Sequence, residues 1–245
     1  MSDADLIREP DARDHYGFIR ANFRRFVHWA AYNFILCSKR TRQATINGLS
    51  LRVPPTVFHP GIFVTSKIFS RHLQRQDLTG KSVVEVGCGS GILALSAARA
   101  GAAKVLALDI NPAAAKATED NARLNGLNHV VTARVSDLFS AVASPERFDL
   151  IISSPPSFGG EALDLADRAW YAGSSYQSLR PMFAKAAEHL ADDGEMLILL
   201  SSDTNIPLMQ HLARQAGFAW GLVEKKSILV EAFLIFRLTK MSAQT

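Results

Sequence analysis

The sequence predicts an α/β fold in which a mostly parallel sheet is covered by helices on both faces. Two observations carry this prediction. From residue 82 onward, short strand-like segments alternate with helical ones, the pattern of a parallel sheet with crossover helices. The chain has 245 residues, 48% of them hydrophobic, which suits one sizeable core with a small appendage better than two independent domains.

The elements read in order as follows. Between residues 11 and 40, Phe18, Phe23, Phe26, Val27, Ala30, Phe34 and Cys37 recur at mixed three- and four-residue steps around Arg20, Arg24 and Arg25, which predicts an amphipathic helix. Asn47-Gly48 between alternating apolar residues predicts a tight β-hairpin, which Pro54 and Pro55 stop. An ordered loop over Phe58-His59-Pro60-Gly61-Ile62-Phe63 precedes a helix to about Leu73, with Thr65 as its cap. Residues 1–56 thus read as a helical cap and hairpin on the substrate side, and residues 57–245 as the catalytic domain. Seven strands are predicted: Ser82 to Val86, Lys104 to Leu108, His129 to Val135, Phe148 to Ser153, Glu195 to Leu200, Phe218 to Val223 and Ser227 to Leu238. Helices are predicted over Ser90 to Ala100, Pro112 to Leu124, around Tyr176 to Leu190, and over Ile206 to Gln215.

The net charge of +4 is N-terminal: residues 1–52 hold nine Lys or Arg against five Asp or Glu, and the remainder balances. A surplus this small reads as a solvated face before it reads as a nucleic-acid interface. The two cysteines, Cys37 and Cys88, suggest neither a disulfide framework nor a metal cluster. No apolar run approaches the roughly 20 residues of a membrane helix, and the acidic start is unlike a signal peptide. The expectation is a cytoplasmic protein with no metal and no membrane contact.

In an open parallel sheet, ligands bind beyond the carboxyl ends of the strands, where the strand order reverses. The first strand of the series ends in Glu85 and enters Gly87-Cys88-Gly89-Ser90-Gly91, where missing side chains let backbone amides approach a ligand. The second ends in Asp109, eighteen residues past Gly91, where a carboxylate can accept both hydroxyls of a ribose. The third leads to Ser136-Asp137-Leu138-Phe139, with Asp137 placed to accept from an adenine amino group. The fourth runs into Ser153-Ser154-Pro155-Pro156-Ser157-Phe158, whose double proline fixes the backbone and leaves carbonyls to face the pocket. A nicotinamide fingerprint would need its third glycine one residue later than Gly91.

These motifs together resemble the class I S-adenosylmethionine-dependent methyltransferases, particularly the small-domain group that includes the release-factor glutamine methyltransferases and the adenine or guanine amino-methylating RNA enzymes. The likeness spans about Val57 to Leu200 and includes Asp109-Ile110-Asn111-Pro112 and Asn121-Ala122-Arg123-Leu124-Asn125-Gly126. The resemblance implies a Rossmann-like, seven-stranded sheet with its last strand antiparallel. It implies S-adenosylmethionine as cofactor, held by Glu85, Gly87, Cys88, Gly89, Gly91, Asp109, Ile110, Asp137, Leu138 and Ser154. Ser154, Pro155 and Pro156 would hold the acceptor. The family's fourth-strand motif usually carries Asn or Asp before the prolines and Tyr or Phe after them; here those positions are Ser154 and Ser157. A planar ring for stacking would then come from Phe158, Trp170, Tyr171 or Tyr176, and Phe58 and His59 would lie at the mouth. The readings that follow are nitrogen, or less readily oxygen, methylation, with a small-molecule acceptor favoured over protein or RNA; cyclisation within the cofactor that releases methylthioadenosine; and a non-catalytic RNA- or protein-binding module.

Overall fold

The structure, a computed structural model, describes residues 40–60, 64–228 and 231–241. The predicted helix over residues 11 to 40 therefore lies outside the described residues except for Arg40. The chain opens with a hairpin of β1 (Arg42–Ile46) and β2 (Leu49–Val53), turned by Asn47 and Gly48 at positive φ as the Asn-Gly pair predicts. Helix α1 (Val64–Leu73) follows. Thr65 falls inside the helix rather than at its cap, because Val64 before it is already helical.

The alternation then proceeds through β3 (Ser82–Val86), α2 (Ile92–Arg99), β4 (Lys104–Asp109), α3 (Pro112–Leu124), β5 (Val131–Val135) and β6 (Phe148–Ser153). It ends with α4 (Arg180–His189), β7 (Leu190–Ser201), α5 (Ile206–Gln215), β8 (Phe218–Ser227) and β9 (Ala232–Lys240). Helix α4 starts later than the predicted Tyr176. Ser175 and Tyr176 take positive φ in a short 3-10 turn after Gly173, which breaks the helical path that the apolar spacing mimics.

The seven-stranded sheet has the order β5-β4-β3-β6-β7-β9-β8. All pairs are parallel except those made by β9, the last strand, which is antiparallel to both β7 and β8. The order reverses between β3 and β6, so Val86 and Ser153, which are in register, end side by side at the switch point.

Alternate residues of each strand feed two cores. Val83, Val105, Leu150 and Leu197 pack with α1, α2, α3 and the hairpin; Val84, Leu106, Ile151 and Met196 pack with α4 and α5. Burial of each such side chain contributes about 1.5–3 kcal/mol. The hairpin's Ile46, Leu49, Leu51 and Val53 belong to the first of these cores.

Two asparagines on one face of α3 hold the hairpin in place. The Asn121 side chain accepts from the Arg52 amide at 2.8 Å and donates to its carbonyl at 3.0 Å; Asn125 does the same for Ser50, at 3.0 and 2.7 Å. Spaced by one helical turn, the two amides pair with β2 as a neighbouring strand would. Asn111 caps α3 by accepting from the Ala113 amide, and its Nδ2 donates to the Thr56 carbonyl at 3.1 Å, which anchors the segment leading out of the hairpin.

Candidate active site

A cleft of about 590 Å³ lies beyond the carboxyl ends of the strands around the switch point. Its first end is built by the glycine turn. Gly87 and Gly89 take φ of +81° and +52°, and a Cβ on either would project into open space. That space is free for a ligand to approach the backbone. Gly91 has a different role: at φ +79° it starts α2, and a Cβ there would lie within 3 Å of the buried Thr118 side chain. It lies outside the cleft lining and lets the end of the glycine turn pack against Thr118 of α3.

Two carboxylates flank this turn. Glu85 is buried at the end of β3, with Oε2 accepting from the Ala94 amide at 2.8 Å. Burial pushes its carboxyl well above the usual carboxylate range, against the pull of the Ala94 N–H, and the nearby Asp109 adds to the rise. Asp109 accepts from the Gly89 amide on Oδ2 and from the Asn111 amide on Oδ1, both at 2.8 Å. Burial raises this carboxyl too, more than the two amides lower it. Each of its oxygens retains a second acceptor position. Burial likewise pushes the Cys88 thiol up; its sulfur accepts from the Thr118 hydroxyl, and it remains a small neutral filler of the turn.

Ile110, the exposed Asp137, and Leu138 at φ +49° complete this end. Ser136 fixes the turn by donating to the Leu138 carbonyl at 2.8 Å, while Ser140 accepts from the Asp137 amide.

The second end forms around β6. The buried Ser153 donates to the Val86 carbonyl at 3.0 Å and ties the two strand ends together. Ser154, Pro155, Pro156 and Ser157 then line the cleft, with Phe58, Phe158, Trp170 and Tyr171 as an aromatic wall. Phe158 stacks on Trp170 at 6.1 Å and 17°, and Phe58 meets Trp170 edge-on at 6.1 Å. The wall is held by main-chain bonds: the Phe158 amide donates to the Trp170 carbonyl, and the Ala172 amide to the Phe158 carbonyl. Trp170 and Phe158 thus bring aromatic rings to the cleft that Ser157 also lines.

Most of the predicted site residues converge on this one cleft. His59 and Tyr176 do not line it: both are buried behind its walls, and burial together with the Arg42 charge holds the His59 imidazole below its usual value. The sequence reading missed the charged groups of the far end, Glu161, Arg168, Asp203 and Glu231. Applying the strand-end rule to β7, which ends at Ser201, would have pointed to Asp203. Glu161 accepts from the Ser174 amide, and Glu231 from the Ser201 hydroxyl. Among the described lining residues, six are carboxylic acids and one, Arg168, is a fixed cation.

Comparison with known proteins agrees with this geometry. Residues 49–226 match the family model described as methyltransferase small domain. A ribosomal protein L11 methyltransferase from Aliivibrio salmonicida is 40% identical over 103 residues, covering 41% of this chain and 33% of that protein. A putative protein N5-glutamine methyltransferase from Methanocaldococcus jannaschii is 36% identical over 111 residues, covering 45% and 52%. The chain therefore spans a third to about half the length of these relatives.

Among solved structures, a T. thermophilus 16S rRNA N2 G1207 methyltransferase, in complex with AdoMet and guanosine, superposes with a TM-score of 0.63 at 21% identity, over 83% of this chain and 50% of that one. A Pyrococcus furiosus methyltransferase gives 0.60 at 17% identity, over 90% and 99%. These likenesses show the fold. No helix among the described residues is long and apolar enough to cross a membrane. With the family model running from β2 through the glycine turn to β8 and leaving out only β1 and the last strand, the chain belongs to the methyltransferase small domain family of class I S-adenosylmethionine-dependent methyltransferases.

Proposed function

We propose that this chain transfers the methyl group of S-adenosylmethionine to a nitrogen of a protein acceptor. The observation that carries this reading is that one cleft, at the sheet's switch point, joins the glycine turn and its two carboxylates to the carbonyl-bearing Ser154-Pro155-Pro156 loop. The residues fit the cofactor. Gly87 and Gly89 leave room for its amino-acid part against the backbone. Asp109 accepts the ribose hydroxyls on its two remaining positions, and Asp137 accepts from the adenine amino group. Glu85 and Asp109 set negative charge beside a ligand that carries a sulfonium and an ammonium.

Bound in this way, S-adenosylmethionine supplies an electrophilic methyl group. The protein's task is alignment and exclusion of water. The Ser154 hydroxyl and the Pro155 carbonyl accept hydrogen bonds from the acceptor nitrogen and turn its lone pair toward the methyl position. Phe58, Trp170 and Phe158 shield that position, and their ring faces tolerate the positive charge of the reacting centre.

Of the proteins named above, the three whose names state an acceptor are named for a ribosomal protein, for protein glutamine and for 16S rRNA. The small-molecule acceptor expected from the sequence has no counterpart among them. Between protein and RNA, the charge of the lining favours protein: Glu161, Asp203 and Glu231 on the acceptor side repel a phosphodiester backbone and attract a basic segment. The test is incubation of the purified chain with methyl-tritiated cofactor and a cell extract lacking the enzyme, followed by separate protease and ribonuclease digestion. Label that resists ribonuclease and is released by protease is the expected result. Label released by ribonuclease, or recovered in the small-molecule filtrate, would reassign the acceptor.

A further inference from the structure

We infer that Tyr176 is a positioning residue that sets the geometry of the acceptor loop through the Ser157 carbonyl. The inference rests on the methyl-transfer reading above and assigns Tyr176 a role in it without contact with the acceptor. Tyr176 is fully buried, yet its hydroxyl serves two loops at once. It donates to the Ser157 carbonyl at 3.1 Å and accepts from the Asn205 amide at 3.2 Å. Ser157 directly follows Pro156 in the loop after β6. Asn205 follows the cleft-lining Asp203 in the loop after β7, and its side chain caps α5 by accepting from the Leu208 amide at 3.1 Å.

A single phenol therefore fixes the spacing of the two loops between which the acceptor nitrogen has to enter. Both hydrogen-bonding capacities of the hydroxyl, one donor and one acceptor, are used in doing so.

The backbone is committed to this placement. Ser175 and Tyr176 sit at φ +52° and +56°, a left-handed region that strains a non-glycine residue and persists only where the surroundings enforce it. The ring also leaves no slack: a Cβ on Gly159 would lie 3.1 Å from its Cε2. Gly159 lets the acceptor loop close directly onto the tyrosine, so the phenol grips the loop through a hydrogen bond at Ser157 and through ring contact at Gly159.

A substitution that loosens this grip should spare the cofactor's own subsites, which are built from β3, β4 and β5, and disturb only the groups facing the methyl position. That distinction can be read without an acceptor. S-adenosylhomocysteine has nothing at the methyl position. Sinefungin, the cofactor analogue with an amine-bearing carbon in place of the methylated sulfur, offers N–H donors there to Ser154 and the Pro155 carbonyl.

The experiment is calorimetric titration of both ligands into the wild-type chain, Tyr176→Phe and Gly159→Ala. The wild type is expected to prefer sinefungin. Both variants are expected to keep S-adenosylhomocysteine affinity within about twofold while the sinefungin preference falls about tenfold. Tyr176→Phe removes the hydroxyl, and Gly159→Ala leaves it in place but displaces the ring, so the second variant serves if the first does not fold. A preference retained in full by both variants overturns the inference, and so does an equal loss for both ligands. Failure of the wild type to bind either ligand, or to prefer sinefungin, would instead overturn the cofactor and acceptor-loop assignments on which the inference rests.

Discussion

Gly91→Ala is expected to destabilise the fold by about 2–5 kcal/mol, since alanine at positive φ costs about 1–2 kcal/mol and overpacking a close-packed site about 1–3. The added Cβ would sit 2.6 to 2.9 Å from Cγ2, Oγ1 and Cβ of Thr118, and the Thr118 hydroxyl is already held by Cys88 and the Gly89 carbonyl. At roughly 2–4 °C per kcal/mol for a chain of this size, the melting temperature should fall by about 4–20 °C. Thermal unfolding followed by circular dichroism checks this. Adding Thr118→Ala should recover part of the loss by removing two of the three clashing atoms. A wild-type melting temperature for Gly91→Ala would mean that the glycine turn does not approach Thr118 as closely as described.

Asp109→Asn should weaken S-adenosylmethionine binding by at least about 2 kcal/mol, or some 30-fold, because it removes a charged acceptor from the ribose and negative charge from beside a cation. Binding should also depend on pH, in a direction fixed by the raised carboxyls of Glu85 and Asp109. Burial keeps both protonated to higher pH than usual, so in the ligand-free fold they contribute stability at acid pH that is lost as pH rises through their folded values. A cationic ligand favours the ionised forms. Its affinity should therefore climb as pH is raised from about 4 toward neutrality, with protons released on binding. Calorimetry in buffers of different ionisation enthalpy measures the proton count. Affinity that is flat over this range, or unchanged in Asp109→Asn, would remove Asp109 from the cofactor site.

Much of the fold was legible because its elements obey local rules. Asn47-Gly48 dictated the hairpin, Pro112 after Asn111 marked the start of α3, and the strand from Phe148 to Ser153 was bounded as the structure has it. The start of α4 was misread because Tyr176, Leu179, Met182 and Phe183 keep a helical spacing that satisfies burial, while the left-handed backbone at Ser175 and Tyr176 leaves no trace in hydrophobicity. The docking of the hairpin was hidden for a related reason. Asn121 and Asn125 look like surface residues of a helix until β2 is laid beside them.

The glycine-turn end of the cleft could be read because its groups sit at strand ends, at fixed distances from the glycine turn. The acceptor end could not. Arg168, Asp203 and Glu231 come from connections without periodicity, and only the fold brings them to Pro155. Tyr176 shows the limit most clearly. Its residue type suggested a ring in the pocket, whereas the fold buries that ring and uses its hydroxyl between two loops.

The central claim, methyl transfer from S-adenosylmethionine in this cleft, is tested most directly by the fate of the cofactor. The purified chain is incubated with methyl-labelled S-adenosylmethionine, with and without the protein fraction that contains its acceptor, and the products are separated by mass. The account predicts S-adenosylhomocysteine only when the acceptor is present, in amounts equal to the label gained by protein, and much less of both with Asp109→Asn at cofactor concentrations below the variant's Kd. Methylthioadenosine formed without any acceptor would contradict it.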